Sequence, residues 1–149
     1  MRSLEEFFTE GIPDFLAGRQ DPRLYSPLVL AFIGDGVYDL VVRTRCLEGG
    51  NRPVNELHKQ AREQVKAAAQ AERMALWEPH LTEEERAVYK RGRNAKSATV
   101  PKNARLMDYK NATGFEALLG YLYLKGSYAR VLELASQSPP PGEGVSGHD

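Results

Sequence analysis

The apolar positions of this chain recur mainly at intervals of three and four, and the residues between those runs are of the kinds that start and stop helices. Ser26 followed by Pro27 predicts an N-cap and first turn for a helix running through Leu47, with Gly49 and Gly50 closing it. Asn55 caps the next segment, NELHKQAREQVKAAAQAERMALW, as one helix or two. In it Leu57, Ala61, Val65, Ala68, Ala71, Ala75 and Leu76 form an apolar stripe. Thr82 and Glu85 have the T-x-x-E spacing of a capping box, and the helix they open runs toward a basic stretch. Asp108 or Asn111 starts a further helix with Phe115, Leu118, Leu119, Leu122 and Tyr123 on its apolar side and Gly126 at its end. Ser127 then caps SYARVLELA. Ser3 to Leu16 predicts a first helix bent near Gly11 and Pro13.

The expectation is an all-α fold, with residues 1–137 forming one domain and 138–149, which hold three consecutive prolines, a disordered tail. One stretch is ambiguous. LAFIGDGVYDLVVR, Leu30 to Arg43, reads locally as a hairpin turning at Asp35-Gly36, or as a helix that places Asp35 and Asp39 on one face amid apolar side chains. Ser26-Pro27 at one end and Gly49-Gly50 at the other favour the helix.

At 149 residues and 42% hydrophobic content the chain suits a single compact domain. The apolar run Leu28 to Ile33 is too short to span a bilayer, and the glutamates within Met1 to Gly11 are unlike a signal peptide, so a cytoplasmic location is expected. Cys46, the single cysteine, excludes an intramolecular disulfide and a thiolate cluster for zinc.

The net charge of zero conceals an asymmetry. Residues 1–85 hold 10 Lys or Arg against 15 Asp or Glu, and residues 86–149 hold 10 against 5. KRGRNAKSATVPKNAR, Lys90 to Arg105, has six basic residues and no acidic one, which points to a polyanion site, a solvated loop being the alternative. Most of it reads as loop. Arg91, Arg93, Asn94, Lys96, Ser97, Lys102 and Asn103 mix charges with neutral donors, as contacts to phosphates and 2′-hydroxyls require. The stretch has no aromatic side chain for stacking on single-stranded bases, so duplex recognition by shape fits better.

Two apolar segments each carry an acid among glycines: LAFIGDGVYDLVV with Asp35, and ATGFEALLGYLYL with Glu116. Glycine inside a helix costs up to about 1 kcal/mol relative to alanine, which suggests close helix packing or access for a ligand. If the two helices cross at these glycines, Asp35 and Glu116 approach each other and suit a hard cation such as Mg²⁺. The alternatives are that Asp35 caps and that Glu116 pairs with Lys110 or Arg130. Asp39 either joins the site or pairs with Arg43 one turn on. His58, His80 and His148 are scattered, which disfavours a histidine-based phosphohydrolase. Trp77, Tyr121 and Tyr123 fall at core or subunit-contact positions.

AFIGDGVYDLVV resembles the signature of the ribonuclease III family, and GFEALLGYLYL is similar to that family's second acidic motif. RGRNAKS and PKN between them, and the lack of an appended double-stranded-RNA-binding domain, resemble the branch called Mini-ribonuclease III. The resemblance spans about Ser26 to Leu134. It implies an all-helical endoribonuclease domain that forms a homodimer and cuts double-stranded RNA with Mg²⁺. Asp35 and Glu116 would be its catalytic metal ligands. Phe32 takes the place of an aromatic at the dimer contact, ordinary core packing being the other reading. The branch further implies maturation of 23S ribosomal RNA precursor ends, with a ribosomal protein as a candidate partner. Ala31 and Thr113 stand where full-length ribonuclease III has Glu and Asp, and the branch shares this sparser set. A dimeric RNA-binding or ribosome-assembly module without catalysis is the alternative those two positions motivate.

Overall fold

The computed structural model describes residues 21–96 and 105–141. Among the described residues the chain is helical, with no strand: α1 is Pro27–Cys46, α2 Val54–Val65, α3 Ala67–Trp77, α4 Glu83–Asn94, α5 Leu106–Lys125 and α6 Tyr128–Ser136. The predicted helix Ser3 to Leu16 lies outside the described residues, as do 142–149 of the predicted tail.

The hairpin alternative fails because Asp35-Gly36 sits in the middle of an unbroken α1. Ser26 Oγ accepts from the Val29 amide at 3.3 Å and Pro27 occupies the first turn. Leu30, Gly34, Tyr38, Val42 and Cys46 recur every fourth residue on the buried face of α1. That face packs on α5, which is apolar on nearly all sides and runs through the centre, contacted also by α3, α4 and α6. Phe115, Ala117, Leu118 and Leu119 of α5 are fully buried, and Tyr38 meets Phe115 edge to face at 5.2 Å.

The segment after Pro53 is two helices. Pro53, not Asn55, takes the N-cap position, and Lys66 adopts extended backbone (φ −65°, ψ 154°) between α2 and α3. The break resets the helical phase. Leu57, Ala61 and Val65 face the core as expected, but on α3 the buried positions are Gln70, Ala71, Met74 and Trp77, while Ala68, Ala75 and Leu76 are exposed.

The Thr82–Glu85 capping box opens α4 with both reciprocal bonds. Glu85 also receives two bonds of 2.9 Å from Arg130. Burial pushes the Glu85 carboxyl up, but the Arg130 guanidinium and the Thr82 amide outweigh it and hold its pKa below the usual value. Because α4 continues to Asn94, the first part of the basic stretch is helical rather than loop. Helix α5 starts earlier than the acid and amide suggested, with Arg105 at its N-cap. Asp108 lies in the first turn, and Asn111 accepts from the Tyr89 hydroxyl at 3.1 Å. Gly126 ends α5 in the left-handed region at φ 89°. Ser127 takes the N-cap position of α6 without a side-chain cap bond. Trp77 and Tyr121 are buried as expected, and Tyr123 is half-buried beside Tyr128.

Candidate functional site

The crossing of α1 and α5 is made by glycines. A Cβ at Gly34 would stand 1.8 Å from the Glu116 carbonyl oxygen, and one at Gly120 would stand 2.0 Å from the Leu30 carbonyl oxygen. Backbone therefore meets backbone, closer than any side chain allows. The same device joins α4 to α5, where a Cβ at Gly92 would lie 2.7 Å from Ala117 Cβ. Gly36 differs, since nothing lies within 4 Å of the place a Cβ would take.

This close crossing sets Asp35 beside Glu116, near enough for their carboxyl groups to share a hydrogen bond. Asp35 is exposed and Glu116 is half-buried beneath it. Burial pushes the Glu116 carboxyl up to about 8; a hydrogen bond from Gln70 acts in the opposite direction, and the charge and hydrogen bond of Asp35 add to the rise. Among the described residues no lysine or arginine pairs with either acid, and Arg130 is committed to Glu85 and Glu133. Two adjacent carboxylates lacking a protein counter-ion fit a hard divalent cation, which one or two carboxylates hold while waters and substrate phosphate complete the shell.

The donor set is small. No cluster of three or more potential metal-ligating side chains occurs among the described residues. Ala31 is buried, and Thr113 Oγ1 donates to the Tyr109 carbonyl at 2.9 Å. Asp39 bonds Arg43 at 2.9 Å, the i to i+4 pair anticipated from its spacing. His58 is exposed on α2, and His80 packs edge-on against Trp77.

Phe32 is not a core residue. It is 79% exposed, on the same helix as Asp35, with Leu28 and Val29 also exposed one turn earlier.

At the end of α4 the basic residues divide by role. Arg91 reaches the Arg23 and Tyr25 carbonyls at 3.5 Å, bracing the chain before α1. Arg93 lies 5.6 Å from the centre of the Tyr89 ring and bonds the Asn94 side chain at 3.2 Å. Arg93 and Lys96 line a cleft of about 270 Å³ between α4 and α5, together with Lys110 and Thr113. Three cations thus border a cleft one turn of α5 from Glu116. Ser97, Lys102 and Asn103 lie outside the described residues.

Two participants escaped the sequence. The sequence offers Lys110 only as a partner for Glu116, whereas the fold sets it on the first turns of α5, lining the same cleft as Arg93. Gln70, whose Nε2 lies 3.1 Å from Glu116 Oε2, sits in an alanine-rich run whose phase depends on the break at Lys66.

Residues 28–127 match the family model described as Ribonuclease III domain. Curated relatives named Mini-ribonuclease 3 include one from Thermoanaerobacter sp. (strain X514), 54% identical over 115 residues, covering 75% of this chain and 81% of the relative. Another, from Brevibacillus brevis, is 49% identical over 127 residues, covering 85% and 95%. A crystal structure of a Fusobacterium nucleatum protein superposes with a TM-score of 0.71 at 33% identity, over 78% of this chain and 93% of that one.

Proposed function

The chain belongs to the ribonuclease III domain family and is an endoribonuclease acting on double-stranded RNA, and from that premise we propose a homodimeric, Mg²⁺-dependent enzyme whose catalytic metal ligands are Asp35 and Glu116. The observation that carries this reading is the pair itself: two carboxyl groups set side by side by the Gly34 crossing, one pushed up to about 8, with no protein cation paired to either among the described residues.

A divalent ion, when bound, supplies activation of water and neutralisation of the charge that builds on phosphorus. The chain's own residues hold and orient. Asp35 presents an exposed carboxylate at the surface where a duplex backbone arrives. Glu116 is fixed beneath it by the glycine crossing. Arg91, Arg93, Asn94 and Lys96 at the end of α4, with Ser97, Lys102 and Asn103 beyond it, hold RNA phosphates. Arg93 and Lys96 do so from the cleft they share with Lys110.

The dimer reading rests on Phe32. An exposed phenylalanine with two exposed aliphatic neighbours suits a self-complementary contact between two copies of α1. Two-fold symmetry then offers one acidic pair to each strand of an antiparallel duplex. The natural substrate proposed is precursor 23S ribosomal RNA, cut near its ends in the cytoplasm, with a ribosomal protein as accessory partner. The likeness to the Mini-ribonuclease 3 relatives supports an RNA substrate, and the 23S precursor is what the resemblance to that branch implies. Purified protein incubated with a structured precursor and with an unstructured control, in Mg²⁺ and then in EDTA, tests the reading. Metal-dependent cutting of the structured RNA alone supports it, and cutting that survives EDTA overturns it.

A further inference from the structure

Gln70 is 2% exposed, and it lies on α3 facing the α1–α5 crossing. Its Nε2 donates to the Val65 carbonyl at 2.7 Å and to Glu116 Oε2 at 3.1 Å. Both hydrogens of one amide nitrogen are thereby used. The Val65 carbonyl can only accept, so the amide sits in one orientation: turned over, its oxygen would face that carbonyl at hydrogen-bond distance. The other amide atom, Oε1, is buried and without a hydrogen-bond partner.

The Val65 carbonyl belongs to the last residue of α2, where the chain turns extended at Lys66 and leaves carbonyls without helical partners. Gln70 takes one of these, and the Tyr38 hydroxyl takes that of Gln64 at 3.3 Å. One hydrogen of Gln70 is therefore tied to a helix end, a rigid part of the frame. The second is aimed from that anchor at a single oxygen of Glu116, leaving the other carboxylate oxygen uncommitted to α3.

A residue that only completed the α2–α3 break would have no reason to keep an orphaned acceptor in the interior, nor to spend its second hydrogen on an acid. A residue that fixes the rotation of a metal-ligating carboxylate needs both a rigid anchor and that second hydrogen. We infer that Gln70 is a positioning residue that orients the Glu116 carboxylate for divalent-cation binding by bridging it to the Val65 carbonyl. The inference rests on Glu116 being a metal ligand, and its test separates the two.

The test is Mn²⁺ binding to the full chain without RNA, followed by the electron paramagnetic resonance signal of the free ion. The variants are Gln70→Leu, Gln70→Met and Glu116→Gln, with thermal unfolding in EDTA as the measure of folding. The expected result is that both Gln70 variants bind Mn²⁺ about 10- to 100-fold more weakly, while Glu116→Gln loses the site. Weakened binding should accompany a metal-free Tm close to wild type for at least one Gln70 variant, a separation that a purely structural role would not give. Wild-type Mn²⁺ affinity in a folded Gln70 variant, with loss in Glu116→Gln, overturns the Gln70 inference and leaves the metal reading standing. Unchanged binding in Glu116→Gln, or no binding to wild type, overturns the metal reading and this inference with it. Should one Gln70 variant fail to fold, the other decides: Met keeps an unbranched side chain, whereas Leu is compact.

Discussion

Gly34 of α1 lies against the backbone of Glu116 in α5, so close that a Cβ at position 34 would sit 1.8 Å from the Glu116 carbonyl oxygen. The residue beside this contact, Asp35, carries one acid of the proposed site, and Glu116 carries the other. Stability and site geometry are thus coupled at one crossing. Gly34→Ala should destabilise the protein by roughly 3 kcal/mol, because the obstacle is backbone and cannot rotate away. Gly36→Ala, with open space around its Cβ, should leave stability unchanged or raise it by about 0.5 to 1 kcal/mol. Urea unfolding of the two variants side by side checks this. Equal effects would contradict the crossing.

Phe32 is 79% exposed, so Phe32→Glu should barely alter the stability of one chain. If the α1 face joins two copies, the same change should convert dimer to monomer in light scattering. It should also slow duplex cleavage, because each strand then meets its site separately. A Phe32→Glu protein that remains dimeric at wild-type strength would place the subunit contact elsewhere.

The charge pair gives stability a sign with pH. Burial first, then Asp35, raises the Glu116 carboxyl from its ordinary value of 4.5 to about 8 in the fold. Its contribution is fully present below the unfolded value and is lost as pH rises through about 8, because the unfolded chain releases a proton that the folded chain retains. Metal-free protein should therefore lose stability across that window. Glu116→Gln should remove most of this dependence and be more stable at pH 8 by about 1 to 2 kcal/mol, the partial exposure of Glu116 having been allowed for. Mg²⁺ should restore wild-type stability at pH 8 and not that of the variant. Tm measured from pH 5 to 9, with EDTA and with Mg²⁺, reads all three, and a flat profile for metal-free wild type would contradict the coupling.

The cations at the end of α4 predict a salt effect. Arg93→Ala and Lys96→Ala should each weaken duplex binding and lower the slope of log affinity against log salt by about one for each phosphate contact removed. Arg91→Ala should act partly through stability, since Arg91 reaches the Arg23 and Tyr25 carbonyls. Fluorescence anisotropy with a short RNA duplex in Ca²⁺ or EDTA, over a range of KCl, checks this. Unaltered slopes would remove the cleft lined by Arg93 and Lys96 from the RNA interface.

Much of this was legible from local chemistry. Ser26-Pro27, Thr82 with Glu85, and Gly126 are punctuation whose effect is confined to one turn, and each stands where its residue type demands. The two acids could be singled out because each is a charge inside an apolar helix rich in glycine. The break at Lys66 could not. Gln, Lys and Ala are good helix formers, and the interruption is stabilised by side-chain contacts that only the tertiary structure shows, the Tyr38 hydroxyl of α1 and the Gln70 amide of α3 taking the freed carbonyls. With one helix or two left open and the break not placed, the expected stripe ran on in a single phase, put Leu76 inside and hid Gln70. The early start of α5 at Leu106 was missed for a similar reason, because Arg105 offers no side-chain cap. Phe32 is apolar and helical in spacing, and only the tertiary structure distinguishes a core phenylalanine from one facing solvent.

The central claim is that Asp35 and Glu116 together hold the ion that cleavage requires. The most direct measurement is the single-turnover rate on duplex RNA, at saturating enzyme and fixed Mg²⁺, for wild type and Asp35→Asn. Asparagine keeps the shape and removes the charge at a position whose side chain is exposed. The account predicts a fall of at least about 100-fold with duplex binding retained, the scale on which removing a central electrostatic group acts. Asp35→Asn cutting at the wild-type rate would contradict it.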